Sequence, residues 1–155
     1  MVGDMPLTQA LAQHAFTQGL TEEQIAALAS LASEVSFREN DVILVDGQHS
    51  NSFYLVLTGS VVVELRTPAC VISVQALGSG NVFGWSALLD RQDTLFQVRA
   101  REDTSALQID GATLKARCLS DTALGAALLH RILHVVAGRV KATELRFAEM
   151  CGIRI

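Results

Sequence analysis

The chain has 155 residues, half of them hydrophobic and 18% charged, which suits one domain with a sizeable core and excludes an intrinsically disordered chain. The formal net charge is −4 and no basic run occurs, so nucleic acid is not an expected partner. No apolar stretch is read as approaching the ~18–20 residues of a bilayer span, and Met1-Val2-Gly3-Asp4 lacks a secretion layout. A cytoplasmic location without membrane contact is therefore expected. The cysteines, Cys70, Cys118 and Cys151, are odd in number and form no C-x-x-C pair, which favours reduced thiols over a disulfide or zinc framework.

In chain order, Asp4 is placed to cap a short helix with Pro6 in its first turn and Leu7, Ala10 and Leu11 on one face. Thr21 and Gln24 form a capping-box pattern, with Leu20 and Ile25 as a hydrophobic staple across it. Ile25, Leu28, Ala29 and Ala32 then repeat at helical spacing. From about residue 34 the period changes to two. Short β-branched runs follow at 34–38, 42–45, 52–57, 60–65 and 71–77, and again at 97–100 and 105–109. Turn signals separate them at Glu39-Asn40-Asp41, Asp46-Gly47, Thr58-Gly59 and Thr67-Pro68. Seven or so strands at this spacing predict a sandwich or barrel that closes on itself.

After Asp110 the pattern is helical to the end, with a short helix near 112–118 and a long one capped by Ser120 or Asp121. The long helix carries a heptad seam at Leu129, Leu133, Val136, Val140, Thr143, Phe147 and Met150. A neighbouring stripe, Leu128, Ile132 and Val135, faces a different partner. The barrel on one side and a second copy of the helix on the other satisfy both stripes and predict a homodimer. The competing reading folds one wide stripe onto the chain's own barrel.

Chemistry is sparse. The stretch 77–100, LGSGNVFGWSALLDRQDTLFQVRA, has the layout of a ligand cradle: a glycine turn before a short apolar helical run, closed by a strand. Its glycines are spaced G-x-G-x-x-x-G with no βαβ unit around them, so a dinucleotide fold does not fit. Ser86 has no predicted histidine nearby to activate it. His130 and His134 have the i, i+4 spacing of a metal clamp, but no third ligand is evident and both read as surface residues. A cupin-type metal enzyme is the rival from another class. It needs clustered histidines inside the barrel, and the strand region offers only His49, in a turn. Cys70, at a turn, is a candidate redox sensor with nothing nearby to activate it.

Several strings together resemble the cyclic nucleotide-binding domains of the catabolite-activator and protein-kinase-A regulatory type. Asp46-Gly47 followed by SFYLVLTGSVVV (52–63) is similar to that family's "G…FYxVxxGxVxV" hairpin. LGSGNVFG (77–84) is similar to its "LxxGxxFG", and Ala87-Leu88 matches the "AL" of its phosphate-binding cassette. The resemblance runs from about Phe16 to Gly152. It implies a mainly-β fold with flanking helices: an eight-stranded jelly-roll-like β-roll with N-terminal helices and a long C-terminal helix. The expected single domain, 1–155, then divides into N-terminal helices (1–33), β-roll (34–109, cassette 77–100) and hinge with long helix (110–155).

The family's cassette reads "FGExAL…PRxAT", its Glu accepting from the ribose 2′-hydroxyl and its Arg pairing with the cyclic phosphate. Without gaps, Trp85 stands where the Glu belongs, Asp93-Thr94 replace the Pro-Arg pair, and Phe96 and Gln97 replace the Ala and Thr. Trp85 has no acceptor for a hydroxyl proton, and Thr94 is neutral and short. A charge-assisted hydrogen bond contributes ~1.5–3 kcal/mol, so losing a bidentate pair costs up to about a thousandfold in affinity. The counter-reading has Arg91 or Arg99 as a substitute, or a gap that shifts the register; strand alternation turns Arg99 away from Val98 and Ala100.

The candidate pocket residues are thus Phe83, Gly84, Trp85, Ser86, Ala87, Leu88, Thr94, Phe96 and Gln97. The expectation is a non-enzymatic, stand-alone regulatory sensor module with no catalytic residue, metal or cofactor, which does not grip cyclic AMP or cyclic GMP in the family's way. The expected ligand is a small molecule, altered from the family's or of unknown identity. The alternative is a structural or partner-binding dimerisation module whose pocket is plugged by Trp85 and Phe96. The chain stops at Ile155, right after the long helix, where the family's transcription factors continue into a helix-turn-helix; DNA binding is accordingly not expected.

Overall fold

A computed structural model describes residues 5–90 and 93–154. Helix α1 (Leu7–Gln13) starts with Pro6 at the cap position, not in the first turn, and Asp4 lies outside the described residues. A 3-10 turn (Ala15–Thr17), which the sequence pattern does not announce, leads to α2 (Glu22–Leu31). The Thr21–Gln24 capping box forms in both directions. Ala32 leaves the helix and opens strand β1 (Ala32–Phe37), two residues before the change of period, because β1 pairs with β8 along its whole length.

The remaining strands are β2 (Val42–Leu44), β3 (Ser52–Thr58), β4 (Ser60–Arg66), β5 (Val71–Gly78), β6 (Val82–Phe83), β7 (Phe96–Ala100) and β8 (Thr104–Asp110). They form two four-stranded sheets, β1-β8-β3-β6 and β2-β7-β4-β5, in antiparallel register. This is the eight-stranded roll with flanking helices that the resemblance implies, one strand more than the seven runs read from the residues. Strand β6 is the addition: two residues are too short to show a period, and it exists by pairing Tyr54 with Phe83 and Leu55 with Val82.

The core has two compartments. Inside the roll, Tyr54, Val56, Val61, Val63, Phe83 and Val98 pack together, with the Tyr54 and Phe83 rings stacked at 4.7 Å. Behind the first sheet, Phe53, Leu55, Leu107 and Ile109 meet Leu11, Ile25 and Leu28 of the N-terminal helices. Strand β3 feeds both compartments, so four consecutive residues are buried where a one-sided strand would alternate.

Helix α3 (Gly111–Ser120) is capped by Asp110 and α4 (Thr122–Met150) by Asp121. Leu124, Leu128 and Ile132 of α4 are buried in the outer compartment. Arg131 ties the helix to the N-terminal segment through the Gln18 carbonyl, at 2.6 Å. By length and composition α4 does qualify to cross a membrane, with a mean hydropathy of 1.3 over its most apolar window, which corrects the reading that no stretch comes close. Its apolar residues at 124, 128 and 132 serve the core.

The predicted seam on α4 divides. Leu129, Leu133, Val140, Phe147 and Met150 are exposed, but Val136 packs on the core, and Val136, Val140 and Thr143 line the mouth of the roll. A stripe that packs on a straight helix follows 3.6 residues per turn and drifts about 20° per heptad, so the barrel-facing stripe runs into the heptad positions.

Candidate functional site

The cassette begins with a backbone demand. Gly84 has φ +80° at the end of β6, and a Cβ there would run into the Ser52 carbonyl and the Tyr54 ring. That turn throws residues 85–88 into a single 3-10 turn, Trp85–Leu88. The Ala87 N–H is satisfied internally by the Gly84 carbonyl (3.1 Å), so it is not a free donor for an anion as the cradle layout implies.

The turn sorts its side chains. Leu88 joins the outer core, while Ala87 lies under α3, where Gly111 approaches so closely that any Cβ would overlap the Ala87 backbone. Asp90 reaches the same helix through Lys115 Nζ at 2.7 Å, and this contact holds the Asp90 carboxyl below its usual range. The cassette is therefore mechanically joined to the hinge helix.

Phe83, Gly84, Trp85, Ser86, Thr94 and Phe96 line one cavity of about 510 Å³, together with Asp93, Leu44, Leu95 and Val98 of the roll. Helix α4 supplies the opposite wall with Val136, Arg139, Val140, Thr143 and Glu144. Of the sequence-predicted pocket residues, Ala87, Leu88 and Gln97 lie outside it. Trp85 and Phe96, which in the alternative reading plug the space, line its walls: both are half-buried and the cavity lies between them and α4. Thr94 turns its hydroxyl to its own loop, accepting from the Phe96 N–H at 3.1 Å.

Gln97 and Arg99 face the other side of β7, as alternation requires. There Glu64 of β4, almost fully buried, accepts from Arg99 Nε (2.9 Å) and Nη2 (3.0 Å) and from Gln97 Nε2 (3.0 Å). Arg99 Nη1 also donates to Asn40 Oδ1 at 2.9 Å. The Arg99 hydrogen bonds are the main reason that the Glu64 carboxyl titrates below its usual range. Arg99 is thus committed on the outside of the roll. Arg91, the other candidate substitute, lies outside the described residues.

Three polar groups escape the sequence reading. Arg139 projects from α4 onto the cavity wall, and its Nε donates to Gln75 Oε1 of β5 at 2.7 Å. Burial lowers its pKa to about 10, which leaves it charged at neutral pH. The spacing carried a signal for it, since 139 follows Ile132 by one heptad on the barrel-facing stripe. Glu64 is the second: in a run of valines it had no visible partner, because Arg99 is brought beside it only by the β4–β7 pairing. His14 is the third. Its Nδ1 accepts from the Phe16 N–H (3.1 Å), so its Nε2 carries the proton donated to the Val56 carbonyl (2.9 Å). Burial lowers its pKa, keeping it neutral.

The other candidates stay apart from the cavity. His130 and His134 are exposed on α4, Nε2 to Nε2 3.3 Å, and no group of three metal-ligating side chains occurs among the described residues. Cys70 is exposed at its turn against the Thr67 hydroxyl (3.6 Å). No histidine lines the cavity beside Ser86 among the described residues.

Residues 34–121 match the family model of the cyclic nucleotide-binding domain. A protein from Rhodopseudomonas palustris described as a potassium channel is 27% identical over 134 residues, covering 86% of this chain; the chain spans only 31% of that relative's length. A solved structure from Geobacter metallireducens, described as a cyclic nucleotide-binding protein, superposes with a TM-score of 0.77 at 26% identity, over 88% of this chain and 99% of that one. The regulatory subunit of a cAMP-independent protein kinase A from Trypanosoma cruzi, bound to guanosine, superposes at 0.61 and 23% identity, over 66% of this chain and 37% of that one.

Proposed function

The chain belongs to the cyclic nucleotide-binding domain family, and on that premise we propose that it is a non-enzymatic regulatory module that senses a small molecule other than a cyclic nucleotide. One observation carries this. The cavity under α4 is open, yet Trp85 and Thr94 stand on its wall where the family's motif has a Glu and an Arg. A cavity of about 510 Å³ is in the range of small-molecule sites. The means of gripping ribose and cyclic phosphate are absent from Trp85 and Thr94, while the space is retained. The guanosine-bound relative supports the reading, because guanosine has no phosphate and its protein is described as cAMP-independent.

The route for a signal is short. A ligand touches the cassette and α4 at once, and the cassette presses on α3 through Ala87 and Gly111. A shift of α3 and α4 between two positions is the element that a ligand would bias. The whole chain acts as one unit, and α4 serves as a packing and pairing helix rather than a membrane span, in a cytoplasmic protein.

Calorimetric titration tests this reading. Wild-type protein should give no cyclic AMP or cyclic GMP binding in the micromolar range. The double variant Trp85→Glu, Thr94→Arg should gain a hundredfold or more for cyclic AMP, as expected from two charge-assisted hydrogen bonds. Micromolar binding by the wild type would sink the reading.

A second reading rests on a separate observation, the exposed row Leu129, Leu133, Phe147 and Met150. It makes the chain a homodimerising module, with Val136 and Val140 shared between seam and cavity. Light scattering of Leu133→Glu, Phe147→Glu should then show half the wild-type mass; an unchanged mass removes the dimer.

A further inference from the structure

We propose that the cavity takes a small apolar carboxylate, its body against Trp85, Phe96, Val98 and Val140 and its carboxylate on Arg139. This rests on the reading of the chain as a ligand-sensing module and names the ligand class of that site.

The lining decides the body. Leu44, Leu95, Phe96, Val98 and Val140 offer a ligand no donors or acceptors, so a sugar or a purine edge held there would lose its hydrogen bonds to water without replacement. An apolar skeleton meets no such penalty, and the aromatic walls at Trp85 and Phe96 favour a flat one.

Arg139 decides the head group. Among the described residues it is the one basic side chain on the lining, and no carboxylate lies within ion-pair distance of it. Its single side-chain partner is the neutral Gln75 amide, taken up by Nε. The two Nη nitrogens, with four N–H donors, have no acceptor among the described residues. They match the two oxygens of a carboxylate in the bidentate geometry that arginine favours. The acids on the lining, Asp93 and Glu144, are both exposed and stay hydrated at the rim. A half-buried guanidinium without a counter-ion is a cost that an anionic ligand removes. Burial lowers the Arg139 pKa to about 10, which leaves the charge in place at neutral pH.

The test uses one pair of probes, 1-naphthaleneacetic acid and its primary amide, titrated calorimetrically into the wild type, Arg139→Gln and Arg91→Gln. The acid should bind the wild type at least tenfold tighter than the amide. In Arg139→Gln, which keeps a donor for Gln75, that preference should vanish while the amide's affinity is unchanged. Arg139→Lys should retain part of the preference, which separates a charge effect from misfolding. Equal binding of acid and amide overturns the carboxylate assignment and leaves the sensing reading standing. So does a preference that survives Arg139→Gln or is lost in Arg91→Gln, absence of binding by either probe at millimolar concentration, or tighter binding of guanosine than of the acid. Micromolar binding of cyclic AMP overturns the sensing reading, and this assignment with it.

Discussion

Two arginines on opposite sides of one sheet show what a matched and an unmatched charge are for. Arg99, outside the roll, has a buried carboxylate, an asparagine oxygen and a glutamine beside it, and every polar group in the cluster is satisfied. Arg139, at the mouth of the roll, has one neutral amide. A guanidinium locked to a buried partner serves stability, because removing either side strands the other. One held half-buried without a counter-ion adds little to stability and remains available to an incoming anion. Of the cassette's arginines, Arg99 is committed to Glu64 and Arg91 lies outside the described residues; the basic side chain on the described cavity wall comes from the helix across it.

The comparison can be broken at its strong side first. Glu64→Ala should lower the unfolding free energy by about 2–3 kcal/mol in urea titrations, below the full cost of a deeply buried pair because Arg99 stays partly in water. A loss under 1 kcal/mol would make the cluster ornamental. Arg99→Lys should cost less, about 1 kcal/mol, since a lysine keeps the charge and loses the fork. Acid should act on the same side. Glu64 titrates lower in the folded chain than its ordinary 4.5, so its stabilisation is present above that pH and disappears as pH falls through the depressed folded value.

His14 adds a higher window by the same sign. Its folded pKa lies below 6.5, the unfolded chain takes up the proton first, and stability falls as pH drops below that value. His14→Gln should flatten this upper window and leave the Glu64 window intact. The smallest effect is expected at Arg139→Gln: a change within about 0.5 kcal/mol, of either sign. A destabilisation matching that of Glu64→Ala would show that Arg139 is structural as well.

Much of the fold was legible because its signals are local. The Thr21–Gln24 box, the alternating strands and the Asp110 and Asp121 caps depend on residues within a few positions of one another. Strand β6 was not legible, since its two residues are strand only by virtue of Tyr54 and Leu55 beside them. The cassette residues divide in the same way. Phe83 to Ser86 follow from the Gly84 turn and were found on the cavity; Gln97 was misassigned, although the alternation that places Arg99 outside places it there too. Arg139 lies 39 residues beyond the end of the cassette, and only the path of α4 across the roll brings the two together.

Trp85 on the cavity wall has one more consequence. It is the single tryptophan of the chain, and it sits on the cavity wall facing α4. Its emission therefore reports from the site alone, without a label: occupancy by an apolar molecule, or a lift of α4 that admits water, should each move the spectrum, toward blue in the first case and red in the second. Trp85 thus equips the protein with its own optical gauge of whether the cavity is filled.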